Sequence, residues 1–133
     1  MSPDPLAHVA VSARRHAYAP YSRFLVGAAI QADDGTVHAG CNVENAAYPQ
    51  GTCAEAGAIA AMVAAGRRRI AAVVIAAEGS APCTPCGGCR QKLWEFAGPE
   101  VVVRMVDAEG RTLLARTLGE LLPDSFGPEL LPR

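Results

Sequence analysis

The sequence predicts an α/β fold in which one mixed sheet of about five strands lies between helices on both of its faces. Segments with helical periodicity alternate along the chain with apolar segments of strand length, which is typical of this class. The 133 residues have the length of one domain, and 50% of them are apolar and 19% charged, as in ordinary packed proteins. We therefore expect a single three-layer α-β-α domain over residues 1–133.

The first third of the chain predicts a helix followed by a hairpin. Ser2-Pro3 has the form of an N-cap with a first-turn proline, and apolar residues then recur at helical spacing as far as Ala17. The apolar run 24–31 is typical of a buried strand, and Asp33-Asp34-Gly35 is a turn signal. Residues 36–41 are therefore predicted to return as the second strand of the hairpin.

The remaining two thirds predict alternating helices and strands. A polar loop leads into an alanine-rich helix that is apolar on almost every side and is closed by Gly66. The last helix begins with the spacing of a capping box, Thr-x-x-Glu. The predicted ranges are 42–52 for the loop, 53–65 for the helix, 70–77 for a strand, 86–96 for a helix, 100–107 for a strand, 112–116 for an edge strand and 117–120 for the last helix start.

Charge and hydropathy argue against two classes of partner. The chain has 12 basic and 13 acidic residues and a net charge of −1, so we expect no nucleic-acid partner. The longest nearly uncharged stretch, 70–77, is far shorter than the roughly 20 residues of a bilayer span, so we expect no membrane partner. The N-terminus lacks the pattern of a secretory signal, and we expect a cytoplasmic protein.

Five cysteines in such a chain require a chemical explanation. Their number is odd, and in a reducing compartment clustered thiols indicate metal ligands or redox groups rather than disulfides. Cys53 opens one predicted helix, and Cys86 and Cys89 open another, where the helix dipole favours thiolates. If the two helix starts converge, three thiolates would hold zinc and leave its fourth position to water, which is a catalytic arrangement.

The residues alone also permit other interpretations. Thr52 and Glu55 have the spacing of a capping box, and taken alone Glu55 would be a cap. Cys83, Cys86 and Cys89 are separated from one another by two residues, as in the cysteine motifs that bind iron–sulfur clusters. Cys41 or Cys53 could supply the fourth ligand of such a cluster. Four cysteines could equally hold a structural zinc ion. The pairing of this run with an upstream Cys-x-Glu at a second helix start favours a catalytic metal.

Two motifs carry a resemblance to a known family. Zinc deaminases that act on nucleobases have His-x-Glu, or cysteine in place of the histidine, followed later by Pro-Cys-x-x-Cys. This chain has Cys53-Ala54-Glu55 and Pro85-Cys86-Gly87-Gly88-Cys89. Three further blocks stand in the same order, at 21–29 (YSRFLVGAA), 42–45 (NVEN) and 121–126 (LLPDSF). Over nearly its whole length the chain resembles the small, homotetrameric, zinc-dependent cytidine deaminases.

The resemblance implies a cytidine-deaminase-like fold and a hydrolytic reaction. Cytidine and deoxycytidine would be converted to uridine and deoxyuridine with release of ammonia, a step of pyrimidine salvage. One Zn²⁺ per subunit would be held by Cys53, Cys86 and Cys89. Glu55 would take a proton from water and return it to the substrate. The alternative is a relative that acts on another aminopyrimidine nucleoside, such as blasticidin S or a modified cytidine.

The resemblance also implies contacts with a nucleoside. Asn42 and Glu44 would hold the ribose hydroxyls, although Asn42 taken alone also fits a turn at the end of a strand. The negative charge of Glu44 would repel a phosphate and so favour nucleosides over nucleotides. Phe24 would pack on the pyrimidine ring, although its position in the apolar run equally fits a core strand residue. The backbone of Ala54 would bind the base.

The remaining expectations concern the oligomer and the charge at the metal. Tyr48 and Phe126 match positions that reach a neighbouring subunit in the family, so we expect a homotetramer with shared active sites. Arg90 would donate a hydrogen bond to a zinc thiolate. Many relatives have a second arginine directly after Cys-Ala-Glu, where this chain has Ala56. The site would therefore have one positive charge fewer.

Overall fold

In a computed structural model, which describes residues 4–132, five strands form one mixed sheet between helices on its two faces. The predicted α/β class and the number of strands are therefore confirmed. The helices and strands are α1 Pro5–Arg14, β1 Val26–Ala32, β2 Val37–Cys41, α2 Ala54–Ala64, β3 Ile70–Ala77, α3 Gly87–Trp94, β4 Val102–Val106, β5 Thr112–Thr117 and α4 Leu118–Leu121, with short 3-10 segments at Tyr48–Gln50 and Pro128–Leu130.

The strand order β2-β1-β3-β4-β5 follows from the connections between the strands. β1 and β2 are antiparallel because a tight turn joins them, in which Gly35 has a φ of 89°. β3 and β4 are parallel because α3 lies between them in the chain and provides the crossover. β1 pairs antiparallel with β3, and β4 pairs antiparallel with β5. The sheet is therefore mixed, with β3 at its centre.

The central strand β3 divides the core into two layers. Its residues alternate between the faces of the sheet, as the pleat requires. Val74 and Ala76 pack against α1, whereas Val73 and Ile75 belong to the larger cluster formed with α2, α3 and α4. Both faces of β3 are covered, which explains why its sequence is apolar at consecutive positions. The predicted helices on both faces are confirmed.

Gly40 allows α2 to lie directly on strand β2. A Cβ atom at this position would be 2.3 Å from the backbone nitrogen of Ala58 and 2.5 Å from the carbonyl oxygen of Ala54. Such distances are too short for any side chain, so only glycine permits this approach. Because Ala54 is the first residue of α2, the contact also fixes where that helix begins.

Three predictions concern the first third of the chain. The predicted cap at Ser2-Pro3 lies outside the described residues, and α1 is capped by Asp4, whose Oδ1 accepts a hydrogen bond from the N–H of Ala7 at 3.0 Å. The helix ends at Arg14, before the predicted Ala17. Strand β1 begins at Val26, so the core position predicted for Phe24 is wrong. The side chain of Phe24 is 43% exposed.

The predictions for the burial of α2 and for the cap of α4 had different outcomes. Helix α2 was expected to be buried on almost every side, but Ala60, Val63 and Ala64 are exposed along it. The capping box of α4 is confirmed, because Thr117 and Glu120 exchange side-chain to backbone hydrogen bonds in both directions. Among residues 4–132, the structure contains no helix with the length and hydrophobicity required to cross a bilayer.

Candidate metal centre and adjoining cavities

Three cysteine sulfurs converge where helices α2 and α3 begin. Cys53 and Cys86 are the N-cap residues of these helices, and neither side chain forms a capping hydrogen bond. Cys89 is the third residue of α3, within its first turn, and is 1% exposed. The three Sγ atoms lie within 4.8 Å of one another. Zinc–sulfur bonds of about 2.3 Å in a tetrahedron would place the sulfurs about 3.8 Å apart, so the arrangement suits zinc with small adjustments.

The thiol pKa values show why a cation suits this cluster. Burial raises the pKa of Cys53 and of Cys89, and the nearby charge of Glu55 raises both further. By contrast, the backbone N–H of Cys89 lowers the pKa of Cys86. Three thiols this close together cannot all ionise without a compensating positive charge. A divalent metal provides that charge, and its binding releases the protons.

The cluster contains three cysteines and not four. Within residues 4–132, the groups that converge closely enough to share a metal ion are Cys53, Cys86 and Cys89, and neither Cys41 nor Cys83 is among them. The geometry therefore gives no support to an iron–sulfur cluster or to a structural zinc ion with four cysteines. Three protein ligands leave one position of a tetrahedral zinc ion open, as catalytic zinc sites require.

Glu55 is buried in the first turn of α2, beside the cysteine cluster. Its side chain is 5% exposed, and this burial raises the pKa of the carboxyl, while the charge of Lys92 acts in the opposite direction. The N-cap of α2 is Cys53 and not Thr52, and it accepts no side-chain hydrogen bond, so the capping-box interpretation of Glu55 is wrong. A buried carboxyl with a raised pKa beside a metal cluster is suited to proton transfer.

A cavity of about 190 Å³ opens onto the cluster and Glu55. It is smaller than the roughly 300 Å³ at which sites for complete small molecules begin, and its size suits one ring. This cavity is lined by four of the residues predicted to bind the metal, to transfer protons or to contact the base. Its lining residues are Val26, Asn42, Cys53, Ala54, Glu55, Cys83 and Cys86.

A second cavity, of about 270 Å³, contains Glu44 and Tyr48. The Oε1 atom of Glu44 accepts hydrogen bonds from the N–H groups of Tyr21 and Ser22, at 3.0 and 3.1 Å, and its Oε2 atom accepts one from the Ser22 hydroxyl. These donors, Ser22 first, lower the pKa of Glu44. The cavity therefore contains a carboxylate that stays ionised at neutral pH. The lining residues are Tyr21, Ser22, Glu44, Asn45, Tyr48 and Gly51.

The loop 42–52, which contributes lining residues to both cavities, is held by backbone pairing. The N–H of Tyr18 donates to the carbonyl of Asn42 at 2.9 Å, and the N–H of Glu44 donates to the carbonyl of Tyr18 at 2.8 Å. Val43 and Thr52 exchange two backbone hydrogen bonds of 2.9 Å. Asn42 and Glu44 are therefore fixed beside the residue that precedes Cys53.

The side chain of Asn42 is bonded to the segment that leads into β1. Its Oδ1 atom accepts from the N–H of Val26 at 2.8 Å, and its Nδ2 group donates to the carbonyl of Phe24 at 2.9 Å. Asn42 directly follows the end of β2, as predicted, but its side chain bonds to the neighbouring segment and does not close a turn. The same side chain also lines the first cavity, so it can hold this segment and face a ligand.

Two other predicted residues are not among those that line the two cavities. Phe24 and Phe126 are exposed and line neither cavity, and the carbonyl of Phe126 accepts a hydrogen bond from Gln91 at 3.0 Å.

The predicted hydrogen bond from Arg90 to a thiolate is replaced by two others. The Nε atom of Arg90 donates to the carbonyl of Pro85 at 2.7 Å, and its Nη1 atom donates to the carbonyl of Leu121 at 2.9 Å. The guanidinium group thus donates to backbone carbonyls that lie within hydrogen-bonding distance. Arg90 joins the start of α3 to α4 and thereby fixes the backbone that carries Cys86.

Sequence reasoning missed two residues of the site. Cys83 has no role in the predicted zinc site and enters the sequence analysis only through the iron–sulfur alternative, yet it forms part of the wall of the first cavity. Ser22 received no role, yet it binds the carboxylate of Glu44. The polar residues before the apolar run of β1 indicated a turn that contains Ser22. The contact with Glu44 could not be predicted from them, because the two residues are far apart in the chain.

Comparison with known proteins identifies the same region. Residues 2–105 match the family model described as "Cytidine and deoxycytidylate deaminase zinc-binding region". A cytidine deaminase of Sporosarcina psychrophila is 40% identical over 129 residues, which cover 97% of this chain and 94% of that protein. A cytidine deaminase of Mycobacterium tuberculosis is 43% identical over 124 residues, covering 93% and 89% of the two chains.

A solved structure has the same fold. The crystal structure of cytidine deaminase from Burkholderia pseudomallei superposes with a TM-score of 0.87 at 43% identity, covering 95% of this chain and all of the other. The match to the family model includes all three converging cysteines and Glu55. The chain therefore belongs to the family of cytidine and deoxycytidylate deaminases that share this zinc-binding region.

Proposed function

We propose that this chain is a zinc-dependent hydrolase that deaminates cytidine and deoxycytidine to uridine and deoxyuridine, with release of ammonia, as a step of pyrimidine salvage. The observation that carries the proposal is the convergence of three cysteine sulfurs beside the buried carboxyl of Glu55. The cytidine deaminases named above support this substrate class. They do not favour the alternative of a deaminase for blasticidin S or a modified cytidine.

In this proposal Cys53, Cys86 and Cys89 hold one Zn²⁺ per subunit. Zinc, when bound, supplies Lewis-acid chemistry at its open position and lowers the pKa of water there to about 7. The two helix N-termini direct backbone N–H groups and positive dipole ends towards the sulfurs, which stabilises them as thiolates. Arg90 contributes indirectly, because its bond to Pro85 holds the backbone that precedes Cys86.

Glu55 moves the protons in the proposed reaction. Its carboxylate accepts a proton from water as the oxygen adds to C4 of the pyrimidine, and it passes that proton to the adjacent ring nitrogen. It then takes the remaining proton from the new C4 hydroxyl and gives it to the amino group, so that C4 becomes a carbonyl, the C4–N bond breaks and ammonia leaves. One group that acts first as a base and then as an acid needs a pKa near the working pH, and burial raises the pKa of Glu55 in this direction.

We propose that the nucleoside lies across the two cavities. The base enters the cavity beside Glu55, where the backbone of Ala54 and the side chain of Asn42 contact it or the adjoining sugar, and Phe24 covers the ring. The ribose extends towards Glu44. Because the carboxylate of Glu44 is ionised, it disfavours a 5′-phosphate and favours nucleosides over nucleotides.

Two further proposals concern assembly and location. We propose a homotetramer in which Tyr48 and Phe126 reach a neighbouring subunit, since these side chains are 76% and 54% exposed. Light scattering on the purified protein should give four times the mass of the chain, and a monomer with full activity would contradict shared sites. A cytoplasmic location suits the five free cysteines.

The proposed activity is tested by mixing the purified protein with cytidine and measuring ammonia release. Activity should be present with cytidine and deoxycytidine, disappear after treatment with a strong chelator, and return with Zn²⁺. Blasticidin S and a modified cytidine serve as competing substrates. Turnover of either one without turnover of cytidine would contradict the proposal, as would activity that survives complete removal of zinc.

A further inference from the structure

Glu44 is bound by a turn that lies 22 and 23 residues before it in the chain. Consecutive backbone N–H groups, those of Tyr21 and Ser22, both donate to its Oε1 atom, and the Ser22 hydroxyl donates to Oε2. An ionised carboxylate has about four acceptor positions, two on each oxygen. The two N–H groups occupy both positions on Oε1, and the hydroxyl occupies one on Oε2. One acceptor position therefore remains.

The hydroxyl of Ser22 also connects Glu44 to the segment that leads into β1. Its Oγ atom accepts a hydrogen bond from the N–H of Phe24 at 3.0 Å, while Asn42 holds the carbonyl of the same residue. The chain can turn back in this way because Arg23 adopts a φ of 60°, in the left-handed region. The N–H of Arg23 is bonded to the carbonyl of Ala19 at 2.9 Å. One hydroxyl thus connects the carboxylate of Glu44 to the backbone of Phe24.

We propose that Ser22 is a positioning residue that orients Glu44, so that the one remaining acceptor position on its Oε2 atom receives the 2′- or 3′-hydroxyl of the nucleoside. This inference rests on the proposed function. Ser22 acts through Glu44 and does not take part in the chemistry at C4. Its removal therefore weakens the binding of substrates that have sugar hydroxyls and leaves the chemical step at Glu55 largely intact.

The test compares Ser22→Ala, Ser22→Thr and the original protein on cytidine and on 2′,3′-dideoxycytidine. Because a hydrogen bond to a charged group is at stake, we expect Ser22→Ala to raise KM for cytidine on the order of tenfold, with kcat within about twofold. The effect should largely disappear with the dideoxy substrate, which lacks the 2′- and 3′-hydroxyls and keeps only the 5′-hydroxyl. Ser22→Thr keeps the hydroxyl and should restore KM.

Ser12→Ala provides the matched control. Ser12 lies on α1, on the opposite face of the sheet, and no catalytic or binding role is assigned to it. This variant should retain the original KM for both substrates. A general loss of structure in Ser22→Ala would raise KM equally for cytidine and dideoxycytidine, and that equal effect would overturn the inference. An unchanged KM for cytidine would overturn it too.

A binding measurement separates this inference from the proposed function. Calorimetric titration with uridine and with 2′,3′-dideoxyuridine makes the same comparison without turnover. If the original protein failed to deaminate cytidine but Ser22→Ala weakened the binding of uridine alone, the proposed function would fail and the role of Ser22 would stand. If the original protein deaminated cytidine normally but Ser22→Ala weakened the binding of uridine and of 2′,3′-dideoxyuridine equally, the proposed function would stand and the role of Ser22 would fail.

Discussion

Glu55 differs from an ordinary surface glutamate because of its surroundings. It lies in the first turn of α2, where a glutamate in another protein would be exposed and would cap the helix. Here the cysteine cluster and the sheet cover it, and the loss of water raises the pKa of its carboxyl. The proton transfer that we propose for Glu55 therefore depends on burial as much as on residue type.

Replacement of Glu55 by glutamine separates proton transfer from metal binding. Glutamine has nearly the same shape but cannot accept and return a proton, so Glu55→Gln should lower kcat by about 10²- to 10⁴-fold. The zinc content, measured by atomic absorption, should stay near one ion per chain. Glu100→Gln, at an exposed glutamate, should retain full activity. A Glu55→Gln variant with most of its original rate would refute the proton-transfer role.

Asp107 provides a prediction about acid stability. Its carboxylate accepts hydrogen bonds from the N–H of Arg111 at 2.9 Å, from the Nε atom of Arg111 at 2.9 Å and from the N–H of Glu109 at 3.0 Å, and these donors lower its pKa. A lowered pKa in the folded state stabilises the fold above the unfolded value, about 3.9, and this contribution is lost as the pH falls through the folded value.

Urea unfolding of the original protein and of Asp107→Asn checks this prediction. The original protein should be the more stable of the two at pH 6, and the difference should shrink below pH 4 as Asp107 gains a proton. Other acidic groups and the zinc ligands titrate in both proteins, so they cancel in the difference. A difference that stayed constant down to low pH would show that the ionised carboxylate contributes nothing.

At the scale of elements, the site depends on where two helices begin. α2 rests on β2 through the close approach at Gly40, and Arg90 joins the start of α3 to α4. Each helix places an N-cap cysteine at the same point, and the side chains of these N-cap residues remain free to bind a metal. A change that lifts α2 from the sheet should therefore separate Cys53 from Cys86 and Cys89.

Gly40→Ala should produce this displacement. The added Cβ would meet backbone atoms of α2 at 2.3 Å, so we expect a loss of about 3 kcal/mol of unfolding free energy and reduced zinc content. Gly57→Ala is the matched control on the facing helix, because its Cβ would be 3.5 Å from the nearest atom. The free energy of unfolding of that variant should rise by about 0.5–1 kcal/mol, because alanine has a higher helix propensity than glycine. Equal unfolding midpoints for the two variants would contradict the argument.

At the scale of the whole molecule, the proposed zinc ion connects elements distant in the chain. Cys53 precedes β3 and the other two ligands follow it, so a metal bound by all three holds α2 and α3 together over the sheet. Because the unfolded chain has no such site, metal binding stabilises the folded state by mass action. Removal of the metal should therefore lower the free energy of unfolding by about 2.7 kcal/mol, if free zinc had been present at 100 times its Kd.

Removal of zinc by a chelator should therefore abolish activity and lower Tm on the order of 10 °C, as measured by scanning calorimetry. Added Zn²⁺ should restore both. Cys53→Ser should have a low Tm with or without the chelator, whereas Cys41→Ser, at a cysteine outside the cluster, should respond as the original protein does. An unchanged Tm after complete loss of zinc would exclude a connecting role for the metal.

Much of this molecule follows from local rules in the sequence. The strand 70–77 was predicted with its exact bounds because a continuous run of Val, Ile and Ala is typical of a strand covered on both faces. The box at Thr117 and Glu120 was predicted because its two bonds lie within one turn. The start of β1 was misplaced because hydrophobicity alone does not separate Phe24, exposed in a turn, from the buried residues that follow.

The sequence by itself determined the alternation of helices and strands, the cysteines at two helix starts and their resemblance to zinc deaminases, because each depends on neighbours within a few residues. Only the tertiary structure decided that three cysteines meet and two do not, that Glu55 is buried rather than a cap, and that Ser22 binds Glu44 while Arg90 binds carbonyls. These contacts join residues far apart in the chain. Sheet pairing and helix packing bring them together, and local patterns contain no information about those distances.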